Sequence, residues 1–415
     1  MSKSSVFGIK IDFEKSNSSY VYDKITQESY LDFFGQYSTL AIGYNHPIFS
    51  TLEFQEDIRR VSSIKVANCE MLSDEAERFD HQFRQYTSKG IFTHYHYTCT
   101  GALAIESALK TAIDYTQIQQ PRFINFKGSF HGINSYGGIV TDRFFPVSQR
   151  LEGLPGKFWE PFPNPIIEYK NNQSIIREEK VQQVLNDITT LIKNDRHIAA
   201  ILVEPIQCTF GDRYFPNSFF IGIRRIADEY NIPLIFDEIQ IGFGGSGKTW
   251  YFEHLPIEPD IVAFGKKTQL SGIMVKKKFA RIFETPIRLE VTWDADIIDM
   301  IRCMYIMKAY QQNCVLENVV AMGKRLYNGL KSIPNIQNIR QCGLLVGFDF
   351  ETTEQRNQFM KIVRENQMIC NPTRDKSIRL RPHLLVNASE IDHALNIMQK
   401  AAQTIVKKQL AHDTL

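Results

Sequence analysis

Four short apolar runs decide what this chain can fold into: RFINFKG (122–128), HIAAILVEP (197–205), IPLIFDE (232–238) and DIVAFG (260–265). Between them stand segments of helical periodicity, VQQVLNDITTLIKN (181–194) and FFIGIRRIADEYN (219–231). TGALAIESALKTAIDYT (100–116) precedes the first run as an amphipathic helix opened by Thr-Gly. Continuous apolar strands separated by helices predict an α/β fold with a mainly parallel sheet covered on both faces. Ligands of such sheets sit outside the carboxyl ends of the strands.

Two further regions differ in pattern. The first forty-odd residues, with YVYDKITQESYLDFFG (20–35), alternate polar and apolar and suggest short strands and a hairpin. From about residue 300 the chain is helix-rich with two strand signals, LLVGFDF and SIRLRPHLLV, and reads as a smaller α+β domain. The expected organisation is an N-terminal segment (1–60) joining the small domain, a large domain (61–298) and a C-terminal small domain (299–415). A net charge of +2 gives no general reason to expect nucleic acid or membrane binding. Seven scattered cysteines without C-x-x-C spacing argue against a zinc site or disulfide framework and for a cytoplasmic protein. No stretch approaches eighteen uninterrupted apolar residues and the first residues lack an apolar signal core. No metal site is expected.

The chemistry concentrates at strand ends. Glu204, Asp237 and Lys266 each fall at the end of an apolar run. A carboxylate and a lysine so placed suit pyridoxal phosphate, which takes a lysine at its aldehyde and an acid at its ring nitrogen. A Lys-Lys pair after a strand is otherwise a solvated turn; Lys266 is favoured over Lys267 because it directly follows Gly265. Glu238 competes with Asp237, and strand alternation lets one of the two face the ring. Thr100, Gly101 and Ala102 open a helix whose free N–H groups make a phosphate cradle, a weak signal by itself. Phe130 is a candidate stacking ring and otherwise a core residue; His131 is otherwise a hydrogen-bonded turn histidine. Gln240 could donate to a phenolic oxygen of the cofactor.

Taken together, GYNHP (43–47), KVAN (65–68), GALAIESALK (101–110), FHG (130–132), EPIQ (204–207), GDRYF (211–215), FDEIQ (236–240), PDIVAFGKKTQ (259–269) and IRLRPHL (378–384) resemble, in order, the motifs of the class III aminotransferases. These are pyridoxal-phosphate enzymes of fold type I, with a seven-stranded-type sheet, and the likeness is greatest to the L-lysine 6-aminotransferase subgroup. The resemblance implies ping-pong transfer of an amino group from an amine or amino acid, lysine-like or modified, to a 2-oxo acid such as 2-oxoglutarate. It makes Lys266 the Schiff-base lysine and proton carrier, Asp237 the pyridinium partner, Phe130 the stacking ring, and Gln240 a cofactor contact. Thr292 in VTWDAD matches a threonine reaching the partner subunit's phosphate, which implies a homodimer. Arg379 matches the arginine for the α-carboxylate of 2-oxoglutarate, and Tyr37 a substrate-facing aromatic.

Three departures from the pattern involve four positions. Ile133 stands where the family's FHGR motif has a carboxylate-binding arginine. Thr209 stands where a glutamate pairs with the arginine at the 379 position, so the Arg379 guanidinium is expected to be unpaired at rest. Asp294 and Ala295 replace the glycines after Thr-Trp. The expectation is a shifted substrate, with Ile133 favouring an apolar tail or a partner group. The alternatives are another pyridoxal-phosphate reaction on the same fold (a racemase, aminomutase or decarboxylase) and, more distantly, a catalytically silent binding subunit.

Overall fold

The computed structural model describes residues 7–143, 161–170 and 172–413. The chain separates into two compact units: Asp57–Phe243 with Lys248–Met304, and Met1–Glu56 with Gly244–Gly247 and Tyr305–Leu415.

The first unit is built on a six-stranded sheet in the order His94–Thr98, Ser271–Val275, Ile261–Phe264, Leu234–Asp237, Ile198–Val203, Arg122–Ile124. The last four of these are mutually parallel. Every residue of the 198–203, 234–237, 261–264 and 271–275 strands is buried, which is why these segments read as unbroken apolar runs. Just past Arg122–Ile124, Phe126 forms an isolated parallel bridge with Phe162. Phe162 donates its N–H to the Asn125 carbonyl at 2.9 Å and accepts from Lys127 at 2.8 Å.

Ser271–Val275 is antiparallel to both neighbours, a strand the alternation of runs and helices did not announce. The cause is the connection. Residues 265–270 are too few for a crossover helix, so the chain doubles back after Ile261–Phe264.

Helix Gly101–Thr116 packs on this sheet through Ala104, Ala108 and Ala112, spaced four apart and fully buried. Small residues on that face let the helix approach Ile235, Ile261, Ala263 and Ile273 in one core cluster. Helix Asn217–Glu229 buries Phe219, Phe220, Ile223 and Ile226, with Phe220 edge-on to Phe236 at 5.7 Å between centroids.

The second unit holds two four-stranded sheets. One joins Ile11–Asn17, Tyr20–Asp23 and Ser29–Asp32 to Met368–Ile369, so the N-terminal hairpins pair with a strand from the far end of the chain. The other runs Gln337–Cys342, Leu345–Asp349, Ser377–Leu380, Asn371–Thr373. Arg340 and Asp349 form a fully buried ion pair there at 2.7 Å, and Ser377 Oγ donates to the same carboxylate at 2.6 Å. Helices Val315–Leu330, Thr353–Glu365 and Ala388–Asp413 complete the unit. Among the described residues no helix is long and apolar enough to cross a membrane.

His96, on the first strand of the large sheet, is buried, and its Nε2 lies 3.9 Å from Asp294 Oδ1. Burial pushes the imidazole down to about 4 against an opposing pull from Glu290. The unfolded chain binds that proton near pH 6.5. Between about 6.5 and about 4 the unfolded state therefore holds more protons, and stability is lost as pH falls through that window. Replacing His96→Gln should flatten this part of a plot of thermal unfolding midpoint against pH. An unchanged slope would refute the assignment.

Candidate active site

Three neighbouring parallel strands deliver the charged groups of the site. Asp237 closes Leu234–Asp237, opposite Ala263 of the next strand, while Phe236 sits opposite Val203 on the other side. Glu204 follows Val203, and Gly265 and Lys266 follow Phe264. In-register parallel strands carry their C-terminal residues to one edge of the sheet.

A cavity of about 280 Å³ opens at this edge. Glu204, Asp237 and Lys266 line it from the strand ends, and Gly101 and Ala102 from the start of the helix. Phe130, His131 and Ile133 enter from the loop after Arg122–Ile124, and Thr209 and Gln240 from loops after the next two strands. Ten residues marked from the sequence thus meet around one space. Thr100 acts beside it as the helix cap, its Oγ1 accepting from Leu103 N–H at 3.4 Å.

Within the cavity the buried Asp237 carboxylate is held from two sides. Oδ2 lies 2.9 Å from Nδ1 of His131, and Oδ1 accepts from Ile239 N–H at 3.1 Å. His131 is wholly buried, and its Nε2 has no partner among the described residues. A turn histidine would be solvated; this one orients an acid. Its backbone is fixed in turn, with the His131 N–H donating to Thr141 Oγ1 at 2.9 Å and that hydroxyl donating to the Gly132 carbonyl at 2.7 Å. Glu204 accepts from Phe130 N–H at 2.8 Å, so it fixes the loop bearing the aromatic ring.

Glu238 and Lys267 turn away from the cavity. Glu238 is fully buried and accepts from Tyr251 N–H at 2.6 Å and Phe252 N–H at 2.8 Å, and burial pushes it up to about 8. Lys267 Nζ donates to the carbonyls of Gln240 at 2.7 Å and Gly242 at 3.2 Å. Lys266 lines the cavity with a left-handed φ of 58°, a conformation costing about 1–3 kcal/mol in a non-glycine residue.

Five lining residues, Gly132, Ile206, Ile239, Ile241 and Ser271, were not singled out from the sequence, and two of them press on glycines. Ile239 packs so closely on Gly101 that a Cβ there would meet its side chain at 3.0 Å. Ser271 Oγ would lie 2.5 Å from a Cβ at Gly265. Ile239 comes to the site with its neighbours Asp237 and Gln240, whereas Ser271 is brought there by tertiary packing.

The remaining candidates lie elsewhere. Thr292 is exposed on the same unit. Tyr37 belongs to the other unit, in a left-handed turn (φ 57°), its ring edge-on to Phe34 at 4.5 Å. Arg379, also there, is 4% exposed. The expectation of an unpaired guanidinium fails: with its carboxamide oxygen turned inward, Asn371 accepts from Arg379 Nε at 2.9 Å and Nη2 at 2.6 Å. The two residues face each other across paired strands, a contact their spacing in sequence does not reveal.

A family model described as aminotransferase class-III matches residues 2–402. The L-lysine-epsilon aminotransferase of Mycobacterium tuberculosis is 28% identical over 417 residues, with 96% of this chain and 92% of that protein covered. The 4-aminobutyrate aminotransferase of Dictyostelium discoideum is 28% identical, with 95% and 86% covered. A solved structure of the M. tuberculosis lysine aminotransferase matches with a TM-score of 0.91 at 28% identity, covering 98% of this chain and 97% of that one.

The placement of the two lysines can be checked directly. Borohydride reduction of the protein loaded with pyridoxal phosphate, followed by peptide mapping, should fix the label on Lys266. Label on Lys267 would overturn the reading of the cavity.

Proposed function

Because the chain belongs to the class III aminotransferases, a pyridoxal-phosphate family, we propose that it passes an amino group from an amine or amino acid to a 2-oxo acid such as 2-oxoglutarate, in two half-reactions. The observation that carries this is the single cavity into which Lys266, Asp237, Phe130 and a helix N-terminus converge.

The residues present fit the cofactor. Gly101 and Ala102 begin a sixteen-residue helix whose first N–H groups and positive dipole end would hold the phosphate. Gly101 fits closely on Ile239, and a Cβ there would oblige that side chain to shift. Phe130 would stack on the ring, Gln240 would contact its oxygen, and Asp237 would sit at its nitrogen. When bound, pyridoxal phosphate supplies an aldehyde for the donor amine and a conjugated ring that accepts electrons from the breaking C–H bond.

The chain's own residues do the rest. Lys266 would hold the cofactor's aldehyde, and its Nζ, once free, would be the base that takes the proton from the donor's amine-bearing carbon. His131 Nδ1, 2.9 Å from Asp237 Oδ2, fixes the carboxylate's direction. Glu204 keeps Phe130 in place through the backbone.

For substrate, the relatives named above act on lysine and 4-aminobutyrate, and a lysine-like or modified donor is the reading for this chain. Ile133 and Thr209 both line the cavity, so the two departures from the family pattern stand where they bear on the donor. Arg379 would take the acceptor's α-carboxylate, and Tyr37 would face the substrate. A homodimer completes the site, Thr292 reaching the partner's phosphate; the exposed apolar Val291 and Trp293 beside it support burial on assembly. A cytoplasmic location fits seven cysteines that are all free thiols.

Donor supplied without acceptor should convert the cofactor's absorbance to that of its amine form and leave it there. Return to the starting spectrum would instead indicate a racemase-type reaction. The double substitution Ile133→Arg with Thr209→Glu should raise kcat/KM for lysine about tenfold or more, the scale of one charged hydrogen bond. No change would mean that these positions do not set donor choice.

A further inference from the structure

Asp294 and Ala295, which stand where the family pattern has glycines, fall on a second cavity of the large unit. It measures about 520 Å³, lies against the strand His94–Thr98, and shares no described lining residue with the catalytic cavity. Four carboxylates line it. Glu77 and Asp80 stand three residues apart on helix Asp74–Thr87, and so on one face of it. Glu290 and Asp294 come from the segment that precedes helix Ile297–Gln312. No lysine or arginine is among the described lining residues.

Asp80 is already satisfied, with Arg84 Nε and the Tyr97 hydroxyl each donating to it at 2.7 Å. The other three carboxylates meet no lysine or arginine among the described residues. Glu290 accepts from Leu289 N–H at 3.1 Å, and Asp294 is reached by Val291 N–H at 3.4 Å. Burial, and then the Glu290 charge beside it, push the Asp294 carboxyl up to about 6. Neighbouring acids drawn out of water in this way lack a counter-charge.

His96 points the same way independently. Its side chain is 9% exposed and lines the same cavity, and its Nε2 has no hydrogen-bond partner among the described residues. That nitrogen is turned toward Asp294, 3.9 Å from Oδ1. A neutral imidazole can accept an N–H at one ring nitrogen. The acids do not gather as metal ligands: among the described residues no three such groups could hold a metal ion. Carboxylates spread around a wall suit several N–H donors carried on one chain. The volume is that of a small-molecule site, more than one inserted basic side chain would fill.

We propose that this cavity binds a small organic cation with primary ammonium groups, a diamine or polyamine, between the Glu290–Asp294 segment and Glu77, with His96 Nε2 accepting a further N–H. Glycine at 294 would supply no carboxylate, so the site belongs to this chain rather than to the family pattern.

The test titrates the borohydride-reduced holoenzyme, in which the cofactor is fixed and no amine can react in the catalytic cavity. Cadaverine and spermidine are the probes, with pentylamine and magnesium as comparators, followed by calorimetry and by the thermal unfolding midpoint. Cadaverine should bind saturably, about tenfold or more tightly than pentylamine, the scale of one charged hydrogen bond. Added salt should weaken it, and magnesium should not displace it. Glu290→Gln and Asp294→Gly should each weaken cadaverine about 10- to 100-fold. Glu77→Gln, on an exposed part of the helix, should narrow the gap between cadaverine and pentylamine, and it keeps the test decisive if the Asp294 variant does not fold. Absence of saturable binding, binding unmoved by all three substitutions, or displacement by magnesium overturns the inference. So does an outcome in which no amine binds and the substitutions instead change self-association, which would assign the acids to a basic group of a second copy. None of these outcomes touches the aminotransferase reading.

Discussion

The site depends on keeping one carboxylate, Asp237, buried at the end of a central parallel strand. Taking such a group out of water is costly unless it is bonded on every side. Two partners are built in, the His131 ring and the Ile239 N–H. Under the proposed function, a cationic ring nitrogen in the cavity would supply a third of opposite charge. The fixing of His131 by Thr141, and of the adjacent Phe130 by Glu204, follows from that need.

A second regularity follows from strand and turn geometry. Two pairs of like residues sit side by side, Asp237 with Glu238 and Lys266 with Lys267, and in each pair one member lines the cavity while the other makes structural hydrogen bonds. Asp237 and Lys266 line the cavity. Glu238 satisfies two backbone donors of the 251–254 turn, and Lys267 satisfies the carbonyls of Gln240 and Gly242. The structural members hold the segments that bear the others: Lys267 pins the chain on either side of Ile241, just past Gln240. Strand alternation told that one of Asp237 and Glu238 faces the ligand but not which, whereas Lys266 was favoured over Lys267 because it directly follows Gly265.

That limit describes what was legible more generally. Buried parallel strands and amphipathic helices were readable because their composition answers to local burial: Ile198–Val203 and Gly101–Thr116 lie where their patterns place them. The antiparallel return of Ser271–Val275 was not, because it follows from the length of a connection. Ile239 and Ser271 could not be found from residue type, since an isoleucine and a serine say nothing of which glycine they will press against. The Asn371 partner of Arg379 was hidden for a related reason. A charge was expected to need a charge, whereas a neutral carboxamide on the neighbouring strand suffices to take two guanidinium donors.

The backbone at Lys266 links these themes. A lysine in the left-handed region is held there against a cost of about 1–3 kcal/mol, so the surrounding contacts must dictate the conformation. Gly265 before it fits against Ser271 and Ile239 with no space for a side chain, and Gln269 N–H closes the following turn on the Lys266 carbonyl at 2.8 Å. The short connection that forces the next strand to run antiparallel is the same segment that bends at Lys266. An insertion long enough for a crossover would relax the turn and take away the constraint that aims the amine. The antiparallel strand, which looks like an interruption of the parallel sheet, is in this sense part of how the lysine is positioned.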